Sequence, residues 1–302
     1  MNPPSRLCPA CGASDEIGEG EAVWPAGWSC PACARVIEVR DGIPIFAPAL
    51  ADTVAGIDPA AFASLERWEK NNFWFVPRNR LITALLGRYC PAAESFMEIG
   101  CGSGFVLSAI AGIKPWRRLV GSELHPAGLT IARSRLGSCV EFVQMDARMI
   151  PARYVFDVIG AFDVLEHIEQ DDAVLAAMHQ ALRPGGGILL AVPQHPWLWS
   201  NMDEYALHVR RYCRGELERK VRATGFRVLF SASYTALLLP LMAARRWAGA
   251  GGAPESIAEE FELPKIANGL LRNINQLEVT LTLAGLRFPA GGSRIIVAIK
   301  SD

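Results

Sequence analysis

The stretch SFMEIGCGSGF, from Ser95 to Phe105, sets an apolar run and an acidic residue, Glu98, ahead of Gly100, Gly102 and Gly104, and a helical pattern follows over 104–112. Glycines there let the backbone turn sharply between a strand and a helix and approach a ligand closely. A G-x-G-x-G run by itself is a weak signal, so its meaning depends on what lies downstream. Glu123 closes the next β-rich run, 19 residues after Gly104, where a carboxylate can accept hydrogen bonds from both hydroxyls of a ribose. A third acidic residue, Asp146, ends the run after that, in EFVQMDA.

Working outward, runs of strand character fall at 94–99, 118–123, 139–144, 155–162, 186–192, 226–232 and 293–300, with helical stretches near 126–136, 170–182 and 213–224. This alternation predicts an α/β fold: a doubly wound, mostly parallel, seven-stranded Rossmann-like sheet. Residues 233–290 are too many for a turn and carry helical periodicity around 265–284, which predicts a helical insertion before the last strand. Upstream, residues 51–89 read as a helical connector or lid, with Phe62, Leu65, Trp68, Leu81 and Leu85 at near-helical spacing, leading into a domain at 90–302. Residues 1–50 differ in texture, being rich in Pro, Gly and Cys and ending in a β-like run, Arg35–Phe46, interrupted by Asp41 and Gly42.

Cys8, Cys11, Cys30 and Cys33 give C-x2-C-x18-C-x2-C, the spacing of a four-thiolate zinc site. Each pair suits a tight knuckle, and the 18 residues between suit a hairpin. Four thiolates complete a tetrahedron and leave no open position, so the expected metal is structural. A module of this size has too little core to fold unaided, so metal binding is expected to supply much of its folding energy.

The chain has 302 residues, 51% of them apolar, and 30 basic against 31 acidic side chains for a net charge of −1. Such a composition buries a sizeable core, which excludes disorder as a description of the whole, and it disfavours a broad basic surface for nucleic acid. The start, MNPPSRLCPACG, lacks the basic and apolar regions of a secretory signal, and paired cysteines suit a reducing compartment, so a cytoplasmic protein is expected. The longest uncharged apolar stretch, Val228–Ala244, is 17 residues and includes Ser231, Ser233, Thr235 and Pro240. That is short and polar for a membrane span. A strand followed by a buried or interfacial helix is expected there, with peripheral membrane contact left open.

The Gly-rich loop, the acidic ends of the second and third strands, FDVIGAFDVLEHI and LRPGGGILLAVP together resemble class I S-adenosylmethionine-dependent methyltransferases, over roughly 90–232 and again at 293–300. A nicotinamide-binding protein would carry G-x-G-x-x-G instead. The resemblance implies S-adenosyl-L-methionine as cofactor. It implies that Glu98, Gly100, Cys101 and Gly102 flank the methionine portion, Glu123 and Leu124 the ribose, Asp146 and Ala147 the adenine, and Ala161 and Phe162 the sulfonium.

Methyl transfer from a sulfonium is an in-line displacement on an activated carbon, so alignment and water exclusion supply much of the rate, and a base is needed only when the nucleophile carries a proton. Candidates are Asp163, Glu166 and His167 in FDVLEHIEQ, and His195 and His208 in PQHPWLWSNMDEYALHVRRYCRGEL, where Asp203 can serve the histidine and Arg210 and Arg211 an anionic group. For Glu166 and His167 a helix start and packing is the plainer role. FDVLEH is also similar to the acidic-x-x-Glu-His run of ubiquinone-pathway O-methyltransferases, some of which use a divalent metal. The segment NNFWFVPRNRLI, from Asn71, resembles an aromatic and arginine-bearing segment of bacterial methyltransferases, with Phe73, Trp74, Phe75 and Arg78 placed to close the other side of the site.

The sequence thus predicts a methyltransferase acting at oxygen on a small-molecule, saccharide or lipid-linked acceptor. The runner-up is an rRNA or tRNA base methyltransferase, because a zinc ribbon ahead of this fold resembles a group of rRNA guanine methyltransferases. A third reading is an inactive scaffold, because the ribbon and its GIPIF ending are similar to small zinc-ribbon activators that bind methyltransferases as separate chains, with Ile43, Ile45 and Phe46 then packing internally.

Overall fold

Strands buried on both faces must be apolar at nearly every position, and the central runs of this chain are. The computed structural model describes residues 3–51, 61–247 and 263–301. Its N-terminal part carries β1 (Ser5–Leu7), β2 (Ser14–Glu16), β3 (Glu38–Arg40) and β4 (Ile43–Ile45), followed by α1 (Pro48–Ala51), α2 (Ala61–Glu69) and α3 (Phe75–Tyr89). The larger part runs β5 (Ser95–Ile99), α4 (Phe105–Ala111), β6 (Arg118–Glu123), α5 (Pro126–Leu136), β7 (Glu141–Gln144), β8 (Ala152–Arg153), β9 (Phe156–Phe162), α6 (Asp171–Ala181) and β10 (Leu182–Pro193). It ends with α7 (Asn201–Tyr205), α8 (Glu216–Ala223), β11 (Phe226–Tyr234), α9 (Leu239–Trp247), α10 (Lys265–Leu283) and β12 (Ser293–Lys300).

All seven expected strands form, in the order β11-β12-β10-β9-β5-β6-β7, and β4 and β3 extend the same sheet beyond β7. The pairs β10–β9, β9–β5, β5–β6 and β6–β7 are parallel, and β12 runs antiparallel between β10 and β11. One face packs on α3, α4, α5 and α10 through Leu81, Leu85, Leu107, Ile110, Leu129 and Val279. The other packs on α6 and α8 through Val174, Met178, Leu217 and Val221, and takes Ile17, Val23 and Trp24 from the N-terminal module into the same core. β10 begins four residues before the expected 186, because Leu182 pairs with Phe156 and the Arg183–Gly186 stretch bulges before pairing resumes at Gly187. Pro and Gly there read as a turn ahead of a strand, whereas they form an irregularity inside one.

In the N-terminal module the expected hairpin between the cysteine pairs is not the arrangement found. β1 pairs with β2 across the Cys8–Cys11 knuckle, and a Ser29–Val36 bridge closes across Cys30–Cys33. Each knuckle reverses the chain, so it is itself the turn of a short hairpin. The Asp41–Gly42 interruption is the turn between β3 and β4, both residues having positive φ (51° and 78°). The module also pairs twice with the larger part, β1 with β8 and β4 with β7.

The connector appears as α2 and α3, with 52–60 outside the described residues, and the insertion appears as α9 and α10, with 248–262 outside them. α9 buries none of its residues. The helix expected after β11 therefore lies at the surface rather than in the core. Among the described residues no helix is long and apolar enough to cross a membrane.

Candidate active site

The chain leaves β5 toward β6 and β7 on one side and returns to β9 and β10 on the other, and ligands of open α/β sheets bind where the order reverses. A cavity of about 590 Å³ lies there, at the carboxyl ends of β5, β6, β7 and β9. Of the residues singled out in the sequence, Gly100, Gly102, Glu123, Leu124, Asp146, Ala147, Asp163 and His167 line it. Glu98, Cys101, Ala161 and Phe162 lie buried in or next to the same strand ends without lining the cavity.

The glycines are needed for distinct reasons. Gly100 has φ 65°, and a Cβ there would lie 2.5 Å from Val164 Cγ2. Gly104 has φ 75°, and a Cβ there would lie 3.1 Å from Ala132 Cα, so its absence allows α4 to start close against α5. Between them the loop holds its amides toward Glu123, whose carboxylate accepts from Gly102 N (3.0 Å), Leu124 N (2.7 Å) and His125 N (3.2 Å). Burial pushes the Glu123 carboxyl up, and these amides pull it back. Asp146 accepts from Arg148 Nε and Nη2 at 2.6–3.0 Å.

Glu98 is 2% exposed, and its Oε2 has no hydrogen-bond partner. Burial drives its carboxyl well above the ordinary range, opposed by Arg78 and reinforced by Glu123 and Glu69. A buried carboxylate in this state suits a cationic ligand group, such as the ammonium of an amino-acid moiety. The donor set fits S-adenosylmethionine: a carboxylate for its amino group, a second at the end of the next strand for its ribose, and glycines where backbone must approach closely. Burial raises the Cys101 thiol well above the usual range, the setting of a packing cysteine rather than a reactive one.

On the far side of the cavity, Asp163 follows β9 with φ 56° and pairs with Arg78 of α3. The Arg78 guanidinium lies 4.5 Å from the Trp74 ring centroid and 5.8 Å from that of Phe162. The aromatic segment is fixed from behind by the insertion: Asn275 Nδ2 donates to Phe73 O at 3.1 Å, and Asn268 Oδ1 accepts from Phe73 N at 2.9 Å.

Glu166 and His167 sit on a 3-10 turn, Leu165–His167. The Glu166 side chain is 0% exposed, neither carboxylate oxygen has a partner, and burial followed by the Asp163 charge drives its pKa well up. The His167 and His208 rings meet edge to face at 4.7 Å, and one ligand atom from each of Glu166, His167 and His208 lies within 4.8 Å of the others. Such a donor set suits a divalent cation.

His208 lies between Leu207 and Val209, which line the cavity, and its Nδ1 is 2.9 Å from Asp203 Oδ1. Asp203 also accepts from Arg211 Nε (2.7 Å) and caps α7 through Ser200. His195 lies outside the cavity lining, at positive φ (67°), its ring 5.5 Å from that of Trp197. Burial, Arg294 and Arg211 lower its pKa.

Sequence reasoning missed Leu50, Phe62, Arg148 and Val164 of the lining. Phe62 had been read only as part of a helical stripe, and a bulky apolar residue gives no sign of whether it faces a core or a ligand.

Asp203 carries a pH prediction. Burial would raise its pKa, but bonds from His208 and Arg211 outweigh this and hold it well below the ordinary range. A carboxyl depressed in the folded state stabilises the fold above its unfolded pKa of about 4, and the contribution disappears as pH falls toward the folded value. Thermal melts from about pH 5 to about pH 2 are expected to fall more steeply for the natural protein than for Asp203→Asn. Parallel slopes would remove Asp203 from this account.

In the N-terminal module, Cys8 Sγ approaches Cys33 Sγ to 3.6 Å and Cys11 Sγ approaches Cys30 Sγ to 3.6 Å, with all four within 4.8 Å. Zinc–sulfur bonds of about 2.3 Å in a tetrahedron set sulfurs about 3.8 Å apart. The geometry fits a closed four-thiolate zinc centre. The module's own core is small: Cys8, Trp28, Cys30 and Ile37.

A mostly parallel sheet of this order, with its cavity at the switch point, defines the class of Rossmann-like methyltransferase folds. The chain belongs to the methyltransferase domain family, whose pattern matches residues 67–230. It is 27% identical over 168 residues to a probable S-adenosylmethionine-dependent methyltransferase of Mycolicibacterium smegmatis, covering 53% of this chain and 61% of that protein. It is also 27% identical over 153 residues to a ubiquinone biosynthesis O-methyltransferase of Pseudomonas aeruginosa, covering 46% and 64%. The chain thus spans a little over three-fifths of the length of these curated relatives. Among solved structures, one similar chain belongs to the complex between the Haloferax volcanii Trm112 methyltransferase activator and a methyltransferase (TM-score 0.54, 16% identity, 80% of this chain and 95% of that one). Another is Haemonchus contortus phosphoethanolamine N-methyltransferase 2 with phosphomonomethylethanolamine and S-adenosylhomocysteine (TM-score 0.54, 19% identity, 81% and 58%). At these identities the likeness is one of fold.

Proposed function

We propose that this chain is an S-adenosylmethionine-dependent methyltransferase acting at an oxygen of a small-molecule, saccharide or lipid-linked acceptor. The observation that carries the reading is the buried Glu98 carboxylate, its Oε2 without a hydrogen-bond partner, at the end of the strand that leads into the Gly100–Gly104 loop, one strand from Glu123. The relatives named as O-methyltransferases support oxygen as the acceptor atom. An unfilled cavity supports catalysis over the scaffold reading.

When bound, the cofactor supplies an activated methyl group on a sulfonium. Glu98, set behind the cavity wall, would offset the charge of its amino group, Glu123 would hold its ribose and Asp146 its adenine, while Phe62 and Leu50 exclude water. Asp163, fixed by Arg78, borders the transfer path. His208, its Nδ1 held by Asp203, takes the acceptor's proton through its other nitrogen. Where a divalent cation is required, Glu166, His167 and His208 would hold it. The four cysteines would hold a structural zinc, and the ribbon plays within this chain the part that a separate activator plays elsewhere.

The test is a calorimetric titration with S-adenosylmethionine and, separately, S-adenosylhomocysteine. Both are expected to bind, and Glu123→Ala is expected to weaken each by about 1–3 kcal/mol, the cost of removing charge-assisted bonds from a buried site. A folded, zinc-loaded protein that binds neither would overturn the reading, and an unchanged affinity in the variant would remove Glu123 from the ribose.

A further inference from the structure

Gln144 ends β7 and is 0% exposed. Its backbone carbonyl accepts from Phe46 N (2.9 Å), the residue that follows β4 out of the four-cysteine module. Its side chain then makes three more bonds. Oε1 accepts from Ala47 N (2.9 Å), and Nε2 donates to Ala47 O (2.9 Å) and to Leu124 O (2.9 Å). One amide nitrogen and two carbonyls as partners fix the orientation of the carboxamide, with every bond in its sense.

Leu124 follows Glu123, and the Glu123 carboxylate is held by the amides of Leu124 and His125, with Met145 N donating to Glu123 O at 3.3 Å. One buried side chain therefore joins the exit of the cysteine module to the loop that shapes the Glu123 carboxylate. The connection continues into the cavity, because Leu50 of α1, four residues after Phe46 at the end of β4, lines it together with Leu124 and Met145. The module is also docked elsewhere. Val23 N donates to Glu141 Oε2 (2.7 Å), and Trp24 Nε1 donates to Pro151 O (3.0 Å). With four buried apolar residues in its own cluster, the module would draw much of its order from a bound metal, and β4 follows it directly in the chain.

We propose that the cysteine module is a working part of the cofactor site, with Gln144 as the positioning residue through which the zinc-loaded module holds the Glu123–Leu124 loop in its ligand-binding conformation. This rests on the cofactor reading above. Coupling of two sites through a shared ordered element is reciprocal, so the cofactor in turn tightens retention of zinc.

The experiment measures S-adenosylhomocysteine affinity by calorimetry on the full chain, zinc-loaded and after chelation, for the natural protein and for Gln144→Met, which keeps volume and removes the side-chain bonds. Amide hydrogen exchange over 122–126 and 144–147 is followed in the same four states. Zinc removal is expected to weaken binding by about tenfold or more in the natural protein, within the usual range of such couplings. Zinc-loaded Gln144→Met is expected to lose a similar factor with full zinc content, and chelating it is expected to add less than about threefold, because the two perturbations share one route. Exchange at 122–126 rises in parallel. Should chelation unfold the whole chain, the zinc-loaded variant alone decides. Unchanged affinity and unchanged exchange in zinc-loaded Gln144→Met would overturn the proposal. If no state binds the ligand, the cofactor reading falls, while exchange at 122–126 still supports or overturns the coupling.

Discussion

Replacing His208 by Gln is expected to lower the rate of methyl transfer by about 10²–10⁴-fold and to leave the affinity for S-adenosylmethionine unchanged. His208 adjoins the cavity through Leu207, Val209 and the His167 ring and shares no hydrogen bond with Glu98, Glu123 or Asp146, so cofactor binding is not expected to depend on it. With Nδ1 turned to the buried Asp203 carboxylate, the other ring nitrogen is the one left to accept a proton, the tautomer a general base requires. Turnover is measured as S-adenosylhomocysteine released with the fastest acceptor in a panel of phenols, saccharides and lipid-linked saccharides. A normal rate would exclude the role. An equal fall in cofactor affinity would mean that His208 acts through the fold. Activity abolished by a chelator and restored by a divalent cation, with zinc content unchanged, would make His208 a ligand beside Glu166 and His167 rather than a base.

The sheet was readable because its strands are short apolar runs separated by helical periods, and that alternation survives in any single sequence. The acid-tipped strands and the glycines were readable because backbone geometry restricts which residue types can stand there. Gln144, Phe62 and Leu50 were not. Gln144 is an ordinary polar residue at the end of a strand, and its three bonds join Ala47 to Leu124, residues 97 and 20 positions away. No local pattern encodes such a link. Asp203 was visible only as a carboxylate near a histidine. What makes it a partner for His208 is the cap it forms with Ser200, which holds it fully buried at the start of α7. The sheet extension by β3 and β4 was hidden for a related reason, since the GIPIF run shows strand character but not which edge receives it.

Arg78→Met is expected to destabilise the protein by about 3–5 kcal/mol, the usual cost of removing one partner of a buried ion pair. Arg78 is 4% exposed and is the cation that opposes burial at both Asp163 and Glu98. The Asp163 side chain is 25% exposed, which places the effect toward the lower end of that range. Asp163→Asn leaves the guanidinium buried without its anion and is also destabilising. The double variant removes both charges and is expected to lose less than the two single losses added together, by about 2 kcal/mol, because residues in one buried pair do not act independently. Lost packing of the arginine stem between Trp74 and Phe162 cannot produce that shortfall. The dependence on pH separates the charge from the packing as well. Without Arg78 the folded-state pKa values of Glu98 and Asp163 rise further above their unfolded values, so the folded variant holds protons that the unfolded chain releases. Stability of the variant therefore falls relative to the natural protein as pH rises through the natural protein's own folded-state values for the two groups, which already lie above the ordinary carboxylate range. Chemical denaturation at a series of pH values is expected to show a deficit that is small in acid and grows toward neutrality. A deficit independent of pH, with strictly additive single effects, would assign Arg78 to packing alone.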